Sequence, residues 1–208
     1  LTVKAVKAIA RADVLVFDRL VSAEVLALAP AHIRRVDVGK QSGHHSVPQD
    51  EINEILIELA RQGRDVVRLK GGDPLIFGRG GEELEALRDA GIPCACIPGI
   101  TAAQGAASAA QIPLTHRGLA TSLRYVTGHR AANAPLDLDW ESLASGDTTL
   151  VVYMGASTIG EIAGNLMAQG LAASTPVLAI AAATTRKEQR VLATLGGIAG
   201  AVRLAATG

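Results

Sequence analysis

Glycines, two carboxylates and a few basic side chains gather in short clusters along this chain, each following a run of residues that reads as a β-strand. The clusters are Asp18-Arg19, Lys40, Gly71-Gly72-Asp73, Gly99-Ile100-Thr101, Gly128-His129 and Met154-Gly155. In open α/β sheets, ligands bind beyond the carboxyl ends of the strands, where loops offer backbone amides and polar side chains. The densest cluster runs Gly71-Gly72-Asp73-Pro74-Leu75-Ile76-Phe77-Gly78-Arg79-Gly80-Gly81-Glu82. Glycine has no Cβ, so the main chain there turns sharply and lets a ligand approach closely; an ordinary glycine-rich turn is the competing reading. The common nucleotide motifs fail. Gly78-Arg79-Gly80 is followed by Glu83 where Gly-x-Gly-x-x-Gly needs its last glycine, and Gly39-Lys40 is preceded by Arg34 where a phosphate loop needs its first. A dinucleotide or triphosphate ligand is disfavoured on both counts.

The elements that position these clusters alternate. Strands are expected over 12–17, 35–38, 66–69 and 94–97, with helices over 22–28, 82–90 and 100–110 between and after them. Ser46-Val47-Pro48-Gln49 has capping-box spacing with proline in the first turn. Ile52, Ile55, Leu56 and Leu59 then make one apolar helical stripe, closed by Gly63. This alternation implies a largely parallel sheet with helices on both faces. Residues 113–117 read as a crossover. Strands at 123–127, 148–154, 176–181 and 189–194 and helices at 158–168 and 198–204 follow, which puts a domain boundary near residue 115, between 1–114 and 115–208. The opening residues read as a helix start with no preceding strand, so further chain is expected before Leu1 and beyond the abrupt end at Gly208.

Composition bounds the function. The 208 residues are 49% hydrophobic but only 2% aromatic, so a sizeable core must be packed with Ala, Val, Leu and Ile. Lys plus Arg equals Asp plus Glu at 20 each, which argues against the basic stripe of a nucleic-acid binder and leaves room for a local basic pocket that takes a small anion. No apolar run is long enough to span a bilayer. Cys94 and Cys96 have no second pair to complete a zinc site and are expected to be buried, inert thiols in a reducing, cytoplasmic setting.

Taken together, the motifs resemble the uroporphyrinogen-III C-methyltransferases, a family that also forms the C-terminal part of bifunctional sirohaem synthases. The matching runs are Phe17-Asp18-Arg19-Leu20-Val21-Ser22, Val38-Gly39-Lys40 with Gly43-His44-His45-Ser46-Val47-Pro48-Gln49, and Arg68-Leu69-Lys70-Gly71 onward to Glu83. Pro98-Gly99-Ile100-Thr101-Ala102, Ile112-Pro113-Leu114-Thr115-His116-Arg117, Val126-Thr127-Gly128-His129 and Tyr153-Met154-Gly155 follow in order. The resemblance implies a two-domain α/β tetrapyrrole-methylase-like fold with the active site in the interdomain cleft, a homodimer, and S-adenosylmethionine as cofactor. It implies methylation of uroporphyrinogen III at carbons 2 and 7, giving precorrin-2 and S-adenosylhomocysteine. Gly71, Gly72, Asp73, Ile76, Thr101, Ala102 and Met154 are implied as the cofactor site, with Asp18 as proton acceptor and Lys40 as proton donor. A helix-capping Asp18 and a solvated Lys40 are the alternatives.

The methyl donor is a sulfonium and the acceptor an electron-rich pyrrole carbon, so no metal is expected. The eight substrate carboxylates call for cations, and Arg79, Arg117 and His129 are the candidates, with Met154 beside them. Arg79 is also an alternative proton-handling residue. His44 and His45 read as capping or packing residues. Two departures from the resemblance stand out. The family's N-terminal glycine- and proline-rich loop is absent from this sequence, and Ala181-Ala182-Ala183-Thr184 stands where many members carry Glu-Asn-Gly-Thr, so Ala183 falls at a glycine that often touches the cofactor. The rival readings are another tetrapyrrole methylase of the cobalamin pathway, a diphthine synthase relative, and a catalytically silent tetrapyrrole- or nucleoside-binding protein. No membrane or nucleic-acid partner is expected.

Overall fold

The structure, a computed structural model, describes residues 1–39, 47–129 and 135–207. The chain is mixed α/β and divides into two compact units, Leu1–Ala102 and Ala103–Gly208. In the first, α1 (Val3–Arg11) leads into β1 (Val14–Phe17), followed by α2 (Ala23–Leu26), β2 (Arg34–Asp37), α3 (Gln49–Arg61), β3 (Val66–Leu69) and α4 (Gly80–Asp89). The strands form a parallel sheet in the order β2-β1-β3, with Val16 opposite Val36 on one side and Arg68 on the other.

Side chains alternate across a strand, and β1 buries both sets. Val14 and Val16 pack with Ile52, Leu56 and Leu59 of α3, while Leu15 packs with Ile9 of α1, Ala29, Ile33 and Leu69. The parallel sheet with helices on both faces follows from that run. Truncating a fully buried side chain such as Leu15 to alanine costs about 2–5 kcal/mol. Helix α3 starts two residues later than the capping-box spacing implies. Pro48 is its N-cap without a side-chain bond, and Asp50 and Glu51 supply the negative charge that suits a helix N-terminus. Ser46 lies outside the described residues.

The strand expected over 94–97 does not form. Residues 92–99 pair with no strand, and β3 has no neighbour on its outer side among the described residues. Between them lies a cavity of about 320 Å³ lined by Ile9, Val67, Leu69, Leu84, Leu87 and Ile97. With no strand beside this segment, Cys94 is exposed and Cys96 half-buried, against the expectation of two buried thiols. Partial burial raises the Cys96 thiol above its ordinary value, Asp73 adding to the effect.

The second unit takes in nearly all of α5 (Ala102–Ala110), then β4 (Ser122–Thr127), α6 (Trp140–Leu143), β5 (Thr148–Tyr153), α7 (Ile159–Ala168), β6 (Pro176–Ala181), β7 (Gln189–Thr194) and α8 (Ile198–Thr207). β4 and β5 are parallel, β6 and β7 antiparallel. Ile162, Ala163, Leu166, Leu195 and Ile198 centre its core. The two units divide after the first residue of α5, and two bonds tie the rest of that helix to the second unit: the Ala103 N–H donates to the Tyr153 hydroxyl at 3.1 Å, and Arg190 donates to the Ala109 carbonyl at 2.7 Å. Helix α6 is too short for a periodic signal. Asp139 caps it by accepting the Ser142 N–H, which holds that carboxyl below its usual range. Among the described residues no helix is long and apolar enough to cross a membrane.

Candidate active site

The three parallel strands of the first unit end side by side, with Phe17 opposite both Asp37 and Leu69. Loops leaving those ends therefore meet. Asp18 follows β1: its Oδ1 accepts the Leu20 N–H at 3.0 Å, and its Oδ2 accepts from the Arg68 guanidinium at 3.0 Å. Gly39 follows β2 and packs so close to Arg19 that a Cβ would stand 2.6 Å from the Arg19 nitrogen. Lys40, the expected proton donor, lies outside the described residues, as do His44 and His45.

The loop after β3 is built on contacts only glycine permits. A Cβ on Gly71 would lie 2.9 Å from the Leu20 carbonyl oxygen, and Gly72 takes a left-handed φ of +77°. Opposite Gly72, a Cβ on Gly99 would fall 2.0 Å from the Gly72 carbonyl oxygen. Asp73 ties the two segments together: Oδ1 accepts the Leu75 N–H at 2.9 Å and Oδ2 the Gly99 N–H at 3.0 Å. Ile76 closes a turn by donating to the Asp73 carbonyl, Thr101 is buried, and Ala102 opens α5 with its surface exposed. Asp18, Gly71, Gly72, Asp73, Ile76, Thr101 and Ala102 thus share one rim of the first unit.

Arg79 belongs to the same loop, also with positive φ, and grips Glu82 with two bonds of 2.8 and 2.7 Å. That hydrogen bonding raises the guanidinium further and lowers the Glu82 carboxyl, although both side chains stay about half exposed. Behind the rim sits a group the sequence reading did not single out. Glu83 is 5% exposed and its Oε1 accepts from Gln49, Arg68 and Lys70. The signal was present, since Arg68 and Lys70 stand two apart at a strand end and therefore share a face.

In the second unit, Gly128 and His129 follow β4, while Met154 and Gly155 follow β5; Thr127 pairs with Tyr153. A Cβ on Gly128 would lie 2.7 Å from the Gly155 Cα, and the Thr158 hydroxyl donates to the Gly128 carbonyl at 2.8 Å. His129 and Met154 are exposed at this paired end, Met154 with a φ of 55°. Ala183 sits half-buried in the turn between β6 and β7, flanked by positive-φ Ala182 and Thr184, and the Thr184 methyl approaches Gly105 of α5. Arg117 does not join this group: it lies in the bridged loop from His116 to Ala120 that precedes β4.

The family model for Tetrapyrrole (Corrin/Porphyrin) Methylases matches residues 1–199. The chain belongs to the tetrapyrrole methylases. Among curated members, it is 60% identical over 202 residues to the uroporphyrinogen-III C-methyltransferase of Paracoccus denitrificans, covering 97% of this chain and 70% of that protein. It is 52% identical over 199 residues to siroheme synthase 2 of Yersinia enterocolitica, covering 96% of this chain but 42% of the longer relative. Among solved tetrapyrrole methylases, the uroporphyrin-III C-methyl transferase of Thermus thermophilus complexed with S-adenyl homocysteine superposes with a TM-score of 0.79 at 40% identity, over 96% of this chain and 84% of that one.

Proposed function

We propose that this chain transfers methyl groups from S-adenosylmethionine to carbons 2 and 7 of uroporphyrinogen III, giving precorrin-2 and S-adenosylhomocysteine. The observation that carries the reading is the glycine cradle, in which Gly71 lies against Leu20 while Gly72 and Asp73 lie against Gly99, Thr101 and Ala102 at separations a side chain would fill. Such a cradle presents backbone groups to a ligand at close range. Gly71, Gly72, Asp73, Ile76, Thr101 and Ala102 would hold the cofactor, with Met154 and Ala183 adding contacts from the second unit. When bound, the cofactor supplies an electrophilic methyl group on a sulfonium.

The chain's own residues orient, bind and move protons. Holding the acceptor carbon at near-attack distance contributes up to about 7–11 kcal/mol. Asp18 accepts the proton lost from the macrocycle, and Lys40 donates one, each worth about 10²–10⁴-fold. The Leu20 N–H and Arg68 fix the direction of the Asp18 carboxylate. Arg79, Arg117 and His129 meet substrate carboxylates. The exposed Arg79–Glu82 pair contributes no more than about 1 kcal/mol, so a substrate carboxylate can replace Glu82. The same reading makes the working form a cytoplasmic homodimer.

Incubating the protein with uroporphyrinogen III and labelled S-adenosylmethionine tests the assignment. A doubly methylated precorrin-2 supports it. Label entering only a later intermediate of the cobalamin route points to another tetrapyrrole methylase, and no label at all to a binding protein.

A further inference from the structure

A buried charge cluster lies directly behind the rim, and none of the steps above uses all of it. Its centre is Glu83 in the first turn of α4. Its Oε1 accepts from Lys70 Nζ at 2.8 Å, from Arg68 Nε at 3.2 Å and from Gln49 Nε2 at 3.2 Å. The Arg68 guanidinium is committed at every nitrogen: Nε to Glu83, one terminal nitrogen to the Leu69 carbonyl at 2.9 Å, and the other to Asp18 Oδ2 at 3.0 Å. The side chains of Arg68, Lys70 and Glu83 are 12%, 8% and 6% exposed, and that of Asp18 22%. Two carboxylates and two cations balance within the cluster.

We infer that Glu83 is a positioning residue for the Asp18 carboxylate, acting through Arg68; the inference rests on the reading of Asp18 as the proton acceptor. A guanidinium is planar with its donors in a fixed fork, so fixing the direction of Nε fixes where the opposite terminal nitrogen points. Arginine otherwise carries considerable rotamer freedom. Glu83 removes that freedom on the side away from Asp18, and the Leu69 carbonyl removes it along the strand. Glu83 also gives Lys70 its own anion. Without it, two cations would compete for Asp18, and one buried charge would be left uncompensated. The carboxylate would be drawn from the direction in which it must receive a proton.

Simple charge neutralisation by Glu83 makes a different prediction, and paired variants separate the two. In the full chain, Glu83→Leu with Lys70→Met removes one anion and one cation, leaving the Arg68–Asp18 pair balanced. Glu83→Gln with Lys70→Met keeps the balance and also keeps an amide oxygen for Arg68 Nε. Positioning predicts that the leucine pair folds with near-parental Tm, yet loses about tenfold or more in kcat for uroporphyrinogen III methylation, within the scale that misplacement costs. KM and the Kd for S-adenosylhomocysteine should stay within about twofold, and the glutamine pair should recover most of the loss. Adding Asp18→Asn to the leucine pair should cost much less than it costs alone, because both changes disable one device. Parental kcat in the leucine pair, equal losses in both pairs, or losses that multiply with Asp18→Asn overturn the inference while leaving the proposed function standing. A parent protein inactive on uroporphyrinogen III overturns both.

Discussion

The Asp73 carboxylate and the Gly99 backbone N–H meet at 3.0 Å, with the other Asp73 oxygen on the Leu75 N–H. One side chain therefore closes its own turn and fastens the glycine loop after β3 to the segment that opens α5. Each oxygen takes a charge-assisted bond, a type worth about 1.5–3 kcal/mol, and the partial exposure of Asp73 puts it toward the low end. Asp73 thus shapes the cradle before any ligand enters it.

Asp73→Ala should therefore lower the affinity for S-adenosylhomocysteine by about tenfold or more, and lower Tm by about 6–12 °C, since two bonds of about 1.5 kcal/mol are lost and each kcal/mol shifts Tm by about 2–4 °C. Titration calorimetry and thermal denaturation on the same preparation measure both. An unchanged Kd alongside a lowered Tm would confine Asp73 to holding the fold.

Gly99→Ala tests the cradle by steric means. Its new Cβ would sit 2.0 Å from the Gly72 carbonyl oxygen, a backbone atom with nowhere to go, so the two segments must separate. Loss of measurable S-adenosylhomocysteine binding and a clearly lower Tm are expected. Gly81→Ala is the control: nothing lies within 4 Å of its Cβ, and in α4 it should stabilise by about 0.5–1 kcal/mol. Similar Tm values for the two variants would contradict the close packing of Gly72 and Gly99.

The Arg79–Glu82 pair gives a pH-dependent signature. Arg79 lowers the Glu82 carboxyl from its ordinary value of 4.5, so the pair's small stabilisation is fully present above about pH 4.5. It fades as pH falls through the lower folded value, where Glu82 takes up its proton. The Tm gap between the parent and Arg79→Ala should therefore be constant from neutral pH down to about 4.5 and narrow below it. Both groups are exposed, so the gap should also shrink with salt. A gap that widens on acidification would contradict the pairing.

Much of this architecture is written in local patterns. Val14, Leu15 and Val16 announce a strand buried on both faces, and the stripe from Ile52 to Leu59 announces α3, because period and burial agree at those positions. The glycine loop is equally legible, since five glycines in one short segment have few other uses. Non-local partnerships were not legible. Residues 94–97 have strand composition, but a ladder depends on what lies alongside, and no periodicity reports that. Glu83 joins Gln49, Arg68 and Lys70 across three elements, so the cluster exists only after the sheet has formed. Likewise, α5 goes with the second unit through the Tyr153 hydroxyl, a bond between residues far apart in sequence.

Arg117 sits apart from Met154 and His129, on the loop ahead of β4, which makes it a test of how far the substrate reaches. Arg117→Ala should raise the KM for uroporphyrinogen III several-fold while leaving the Kd for S-adenosylhomocysteine within about twofold, because an exposed cation serves carboxylates and not the cofactor. The parental KM should rise with ionic strength, and that rise should be shallower in the variant. Equal effects on both ligands would remove Arg117 from the substrate site.

The chemistry turns on Asp18. Its two oxygens have different jobs, Oδ1 taking the Leu20 N–H and Oδ2 the Arg68 guanidinium. Asp18→Asn preserves the shape and can keep its oxygen on one of these donors, but the amide has no basicity and points an N–H at the other. Methyl transfer measured in a single turnover should fall by about 10²-fold or more, the usual scale for a lost acid–base group. The Kd for S-adenosylhomocysteine should hardly change, because the cradle of Gly71, Gly72, Asp73 and Gly99 does not use the Asp18 side chain. Tm should fall modestly, since Arg68 keeps Glu83 and the Leu69 carbonyl as partners. Asp18→Ala should be slower still only if orientation by the remaining hydrogen bond matters beyond basicity. An Asp18→Asn protein that transfers methyl groups at the parental single-turnover rate would reduce Asp18 to a turn residue or a substrate anchor.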